Sequence, residues 1–252
     1  LGVFAHPDDE SMGPGGTLSK YASVGHRVAF VTATDGGAGR LFAERPGDNA
    51  QLRELRRVET VRAAEILGIE FLGFLGWEDG RLHELNILEV ETRIAEIFRR
   101  EKPDIVITFH GSGISYHSDH RVISLAVKGA FLGAGRARWY ADDRVEALPP
   151  HSATKLYEYT IRRSLIERVA WPRTVYASSD DEITTRIDTS DLSERRWHAI
   201  RAHQTQRNGP PFELLREAGA FEEECFVRVF PNRRPGEPLE TDLFEGLDSA
   251  GP

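Results

Sequence analysis

From the first residue to about residue 132 the chain alternates short apolar runs with longer stretches of helical periodicity, and this alternation constrains the fold more than any other feature. Leu1–Ala5 is a short apolar run, and Met12–Val24 reads as a helix after a Gly/Pro-rich start. Arg27–Thr32 is β-branched and apolar and breaks at Asp35-Gly36-Gly37. Asn49–Leu67 sets Leu52, Leu55, Val58, Ala63, Ile66 and Leu67 among charges at helical spacing, with Gly68 as the C-cap. A strand at Ile69–Leu75, a helix at Asn86–Arg100, a strand at Asp104–Phe109 and a helix at His120–Leu132 continue the pattern. Strands joined by helices of this length pair in parallel through right-handed crossovers, so the expected fold is α/β with a mostly parallel sheet flanked by helices.

The second half is less regular. Gly133–Pro150 is rich in Gly, Arg and Asp and reads as a loop or lid. Thr154–Ile161 and Cys225–Phe230 read as strands, Leu192–Gln206 as a helix, and the Pro/Gly/acid-rich tail 231–252 as loosely packed. With 252 residues and no internal repeat, a single domain over residues 1–252 with a C-terminal extension is expected. No apolar run approaches the ~20 residues of a membrane helix. A net charge of −8 argues against nucleic acid as a partner. The single cysteine, Cys225, excludes an internal disulfide and a cysteine-based zinc site. No signal peptide is visible, which gives a cytoplasmic location as the expectation.

Chemistry concentrates at two strand ends. The first strand runs into His6-Pro7-Asp8-Asp9-Glu10, and three carboxylates at this density repel unless a cation neutralises them. A solvated turn that caps the next helix is the plainer alternative. The fourth strand runs into His110-Gly-Ser-Gly-Ile-Ser-Tyr-His117-Ser118-Asp119-His120. In the common strand order 3-2-1-4-5 these two ends face each other across one crevice at the switch point. Two loops carrying histidines and carboxylates then point to a site for one metal ion.

These two segments resemble the LmbE-like or PIG-L-like zinc-dependent deacetylases. The resemblance rests on Ala5-His6-Pro7-Asp8-Asp9-Glu10 and on His117-Ser118-Asp119-His120-Arg121-Val122. It extends through Arg56-Arg57-Val58-Glu59, Leu67-Gly68-Ile69 and Glu78-Asp79-Gly80, with weaker echoes at Tyr157-Glu158-Tyr159 and Ala202-His203-Gln204-Thr205-Gln206. It implies a Rossmann-like fold and removal of an N-acetyl, or related N-acyl, group from a small N-acetylglucosamine-containing substrate. It also implies one zinc per chain on His6, Asp9 and His120, with Asp8 as general base. His117 would stabilise the oxyanion, held charged and oriented by Asp119. Arg56 and Asp79 match positions that contact substrate hydroxyls in relatives, and homo-oligomers are common in the family. Glu10 has helix capping as its plain role, and Trp77 is equally a sugar platform or core edge.

The chain departs from the family pattern in three places. Ser118 stands where Pro is usual, Ser115 where some members carry a proton-donating tyrosine, and Gly36-Gly37-Ala38-Gly39 lacks an acid that Asp35 or Arg40 would have to replace. Two alternatives remain at this point. One is a metal-dependent phosphoesterase, which needs more ligands than converge here. The other is a non-catalytic metal-binding module, which has no use for Asp8 beside Asp9. Neither a G-x-G-x-x-G nor a G-x-x-x-x-G-K-[ST] loop occurs where a nucleotide-binding protein needs one.

Overall fold

In the computed structural model the described residues are 1–38, 49–169, 171, 174–206, 212–234 and 236–247. The strands in chain order are β1 (Gly2–Phe4), β2 (Ala29–Thr34), β3 (Glu70–Trp77), β4 (Ile105–Phe109), β5 (Lys155–Thr160), β6 (Thr185–Asp188) and β7 (Glu223–Phe230). They form a single sheet in the order β3-β2-β1-β4-β5-β7-β6. Pairing is parallel from β3 across to β5, and antiparallel where β7 inserts between β5 and β6. The α/β, Rossmann-like expectation holds, with the order 3-2-1-4-5 at its centre. β1, β2 and β4 are buried along their full length, as parallel strands covered on both faces are.

The helices are α1 (Asp9–Met12), α2 (Gly15–Ser23), α3 (Asn49–Leu67), α4 (Ile87–Glu101), α5 (Ser118–Gly133), α6 (Asp143–Glu146), α7 (Arg163–Val169), α8 (Ser193–Ala202) and α9 (Phe212–Glu217). The segment expected as one helix from Met12 is broken at Gly13-Pro14, so α1 and α2 are separate. α4 shows why these helices form. Asn86 caps its first turn by accepting from the Leu88 N–H, Lys102 closes it in a left-handed conformation, and Val90, Ile94, Ile97 and Phe98 bury one face. α4 packs on α5 and α3 on α8. Among the described residues, no helix is long and apolar enough to cross a membrane.

Residues 133–150 form a loop that carries α6, and both this segment and the tail are held by buried charges. Residues 133–150 are pinned, because the buried Arg99 guanidinium donates to the carbonyls of Ala134, Arg136 and Val145 (2.9, 2.7 and 2.7 Å). None of these residues lines the cavity described below, so the segment is not a lid over it. The described part of the tail, residues 236–247, is anchored as well. Glu240 is buried and pairs with Lys155 (2.9 Å) and Arg228 (2.6 Å), and Leu243 is buried beside Tyr21.

Candidate active site

β1 and β4 are neighbours, so the loops leaving their carboxyl ends open onto one crevice where strand order reverses. The first loop carries His6 to Asp9, with Asp9 opening α1. The second carries His110 to His117, with His117 as the N-cap of α5. A third, after β3, contributes Asp79 and Gly80. The cavity there is about 570 Å³, and His6, Asp8, Asp9, Arg56, Asp79, His117 and His120 are among its walls.

Each ring nitrogen at the centre has its role set by its partner. His120 Nδ1 lies 3.1 Å from the Gly113 carbonyl, which can only accept, so Nδ1 carries the proton and Nε2 offers a lone pair. His6 Nε2 faces the carboxylates of Asp79 (3.0 Å) and Asp119 (3.2 Å), so it donates, and Nδ1 is the atom left to take a proton or a cation. His6 Nδ1 and His120 Nε2 point at each other across 3.1 Å. Asp9 closes the set, with its oxygens 3.6 Å from His6 Nδ1 and 3.3 Å from His120 Nε2. Two ring nitrogens and a carboxylate converge at this range, a contact that either a proton on His6 Nδ1 or a cation satisfies. The donor set of two imidazoles and one carboxylate is that of a catalytic zinc site with an open position.

The surrounding hydrogen bonds hold this arrangement. His6 N–H donates to Asp9 Oδ2 (2.7 Å), and the His120 ring stacks on Phe109 with centroids 4.0 Å apart. Asp119 is fully buried and accepts from Gly80 N–H (2.7 Å) and Leu82 N–H (3.2 Å) as well as from His6. Asp79 accepts from Ala38 N–H (3.0 Å). A carboxylate behind a ligating imidazole fixes its tautomer and raises its basicity. A second cation among His6, Asp79 and Asp119 would have to displace these N–H donors and use His6 as a bridge, which disfavours a two-metal site.

Asp8 has a left-handed backbone, φ 108°, a conformation that costs about 1–3 kcal/mol in a residue with a Cβ. Its N–H donates to Glu10 Oε2 (3.1 Å), and Arg56 donates to Asp8 Oδ2 (3.3 Å) and to the Pro7 carbonyl. Burial pushes the Asp8 carboxyl up to about 6, against the pull of Arg56 and with help from the charges of Asp9 and Glu10. Burial also acts on His6, yet its hydrogen bonds to Asp119, Asp79 and Asp9 outweigh it and raise the pKa well above the usual histidine value. Asp9 goes well below the carboxylate range, because the pull of His120 and His6 exceeds the cost of its burial.

His117 departs from expectation. Its Nδ1 accepts the Asp119 backbone N–H (3.2 Å), so protonating both ring nitrogens would break the helix cap. Burial and the neighbouring His6 and His120 lower its pKa, although Asp119 and Asp9 act the other way. The expectation of a charged His117 oriented by the Asp119 carboxylate is therefore corrected. With Nδ1 accepting, Nε2 is the nitrogen left to donate, and the Asp119 carboxylate hydrogen-bonds His6.

Arg56 and Asp79 line the cavity, but their hydrogen bonds go to protein groups: Arg56 to Gly36, Pro7 and Asp8, Asp79 to His6 and Ala38. Trp77 is half-buried core edge and does not line the cavity. Ser115 lines it, whereas Tyr116 is exposed. Asp35 pairs with Arg53 (3.5 Å), and Gly39 and Arg40 lie outside the described residues. Cys225 is buried with its thiol pushed up to about 12 by burial, which makes it inert. The sequence gives Glu10 only a cap and places His203 among the weaker echoes of the family pattern. Both are buried and joined at 2.8 Å behind Asp8, and their one visible signal was a carboxylate inside the motif and a lone histidine near the end of a helix.

Residues 1–131, over half of the chain, match the PIG-L family, described as GlcNAc-PI de-N-acetylase. The 1D-myo-inositol 2-acetamido-2-deoxy-alpha-D-glucopyranoside deacetylase 2 of Saccharopolyspora erythraea is 32% identical over 283 residues, 98% of this chain and 99% of its own length. The chain belongs to the PIG-L family. The PIG-L fold is shared with an N,N'-diacetylchitobiose deacetylase from Pyrococcus horikoshii (TM-score 0.71, 23% identity, 91% of this chain and 82% of that one). It is also shared with GalB, the 4-carboxy-2-hydroxymuconate hydratase of Pseudomonas putida (TM-score 0.66, 21% identity, 93% and 97% covered). The PIG-L scaffold is thus similar to proteins named for two different reactions, and fold alone does not choose between them.

Proposed function

We propose that this chain, an N-deacetylase of N-acetylglucosamine-containing compounds, works with a single zinc ion held by His6, Asp9 and His120. The observation that carries this reading is the convergence of His6 Nδ1 and His120 Nε2 with the Asp9 carboxylate. When bound, such an ion supplies Lewis acidity, lowering the pKa of a water and polarising the acetamide carbonyl. Asp8, free of the ligand set and with a pKa near 6, takes the proton from the attacking water and returns it to the departing amine. His117 donates from Nε2 to the carbonyl oxygen as negative charge develops there, a role open to a neutral imidazole as well as to a charged one. Arg56 orients Asp8, while Asp79 and Asp119 hold His6 in the tautomer that leaves Nδ1 free. Contacts of Arg56 and Asp79 with substrate hydroxyls would have to be added to these bonds, so positioning is their primary role.

The relative from Saccharopolyspora erythraea makes 1D-myo-inositol 2-acetamido-2-deoxy-α-D-glucopyranoside the first substrate to test. Acetate release from it, and from N,N'-diacetylchitobiose, is measured with the zinc-loaded chain and with Asp8→Asn beside it. Asp8→Asn keeps the shape of the side chain but cannot accept the proton, so kcat falls ~10²–10⁴-fold with metal retained. No acetate from any N-acetylglucosamine compound would refute the activity, and normal turnover by Asp8→Asn would refute the base.

A further inference from the structure

Asp8 holds its left-handed turn although it carries a Cβ, and the contacts that maintain the turn lead away from the cavity. Its N–H is bound by Glu10 Oε2 at 3.1 Å. Glu10 is fully buried, and its second oxygen accepts from Ser11 Oγ (2.6 Å) and from His203 Nε2 (2.8 Å). Ser11 belongs to the same turn and cannot anchor it. His203 lies 193 residues further on, as the C-cap of α8, and its own N–H is bound to the Ile200 carbonyl (3.2 Å). Among the described residues His203 is the one ion-pair partner of Glu10, and it does not line the cavity.

We propose that His203 is a positioning residue for Asp8, acting through Glu10. Resting as it does on Asp8 being the general base, the inference adds that α8 fixes where that base points. Without the imidazole, Glu10 is a buried carboxylate that has lost the one donor reaching it from outside its own turn. It turns toward whatever donor or water it can reach and releases the Asp8 amide. The turn then relaxes toward negative φ and carries the Asp8 carboxylate off line. Asp9 is spared, because its own anchor is the His6 N–H at 2.7 Å. The consequence falls on turnover, and substrate and metal binding are left in place.

Four readouts test this: kcat, KM, metal content and the NMR shift and exchange rate of the Asp8 amide proton. In His203→Ala, kcat falls at least ~10-fold, since misplacing a catalytic group by about 1 Å can cost roughly 10²-fold. KM stays within about twofold, metal remains stoichiometric, and the Asp8 amide proton moves upfield and exchanges faster. His203→Gln, whose amide reaches as far as Nε2, recovers most of kcat and the native amide shift, whereas the shorter His203→Asn does not. Wild-type kcat in His203→Ala, or equal kcat in the Gln and Asn variants, would overturn the proposal. Should His203→Ala not fold, the Gln-against-Asn comparison decides. Asp8→Asn in the same series separates the two levels. If it turns over normally, the base assignment fails, and if it is inactive while His203→Ala is fully active, only the positioning role fails.

Discussion

Replacing Asp119 by Asn distinguishes a carboxylate that serves the metal ligand from one that serves His117. Asp119 Oδ2 accepts both the His6 Nε2–H (3.2 Å) and the Gly80 N–H (2.7 Å), and Oδ1 accepts the Leu82 N–H (3.2 Å). An amide turns one of these acceptors into a donor, so in either orientation at least one buried N–H faces another. That mismatch costs about 1–3 kcal/mol. At about 2–4 °C per kcal/mol for a chain of this size, the metal-free protein melts ~2–12 °C lower. Asp79, 3.0 Å from the same ring nitrogen, still accepts from His6 and preserves its tautomer, so the metal is weakened and not lost. Loss of a carboxylate behind a ligating histidine lowers metal affinity by about 10–100-fold. Zinc titration against a competing chelator measures this term, and calorimetry of the metal-free protein measures the other. Unchanged zinc affinity together with a defect confined to kcat would refute the reasoning and restore Asp119 as the partner of His117.

The remaining predictions are simpler. His120→Ala removes most of the metal while circular dichroism stays native, because the hydrophobic core and not the metal holds the sheet; stoichiometric metal by elemental analysis would refute the ligand set. The rate kcat/KM rises with pH as Asp8 ionises, so its acid limb lies at about 6, or lower with the cation bound beside it. Arg56→Ala removes a positive charge that lowers the Asp8 pKa, so that limb moves to higher pH, and a move to lower pH would refute the pairing. Glu240→Ala leaves Lys155 buried without its ion-pair partner, while Arg228 keeps Glu237, and costs about 3–5 kcal/mol in urea unfolding, with the activity of the folded fraction unchanged.

The α/β sheet was legible because its central strands are continuous apolar or β-branched runs between long periodic helices, as at Arg27–Thr32 and Asn86–Arg100. The meeting of His6 with His117 and His120 was legible for a topological reason, since adjacent β1 and β4 bring their loops together whatever the sequence between them. α7, β6 and α9 escaped notice because each is too short to show a period. The lid reading of 133–150 and the loose reading of the tail missed buried charges, Arg99 and Glu240, that are supplied or answered from far along the chain. Composition registers the glycines and acids of these segments and is blind to such partners. The same limit misassigned Asp119, whose sequence neighbour is His117 but whose carboxylate points to His6, 113 residues away.

The ligands also say something about assembly. His6 and His120 are separated by 114 positions, and what brings them together is the pairing of the first strand with the fourth, across two intervening strand–helix units. A chain still being synthesised, or one whose sheet has closed only at its β2–β3 side, holds isolated histidines and no pocket for an ion. With the proposed ligand set, metal uptake would wait on completion of the sheet's middle, and its rate would follow long-range closure rather than the diffusion of zinc. An ion held as proposed would tie together two loops that unfolding separates, so free zinc above its dissociation constant would draw the population toward the finished fold.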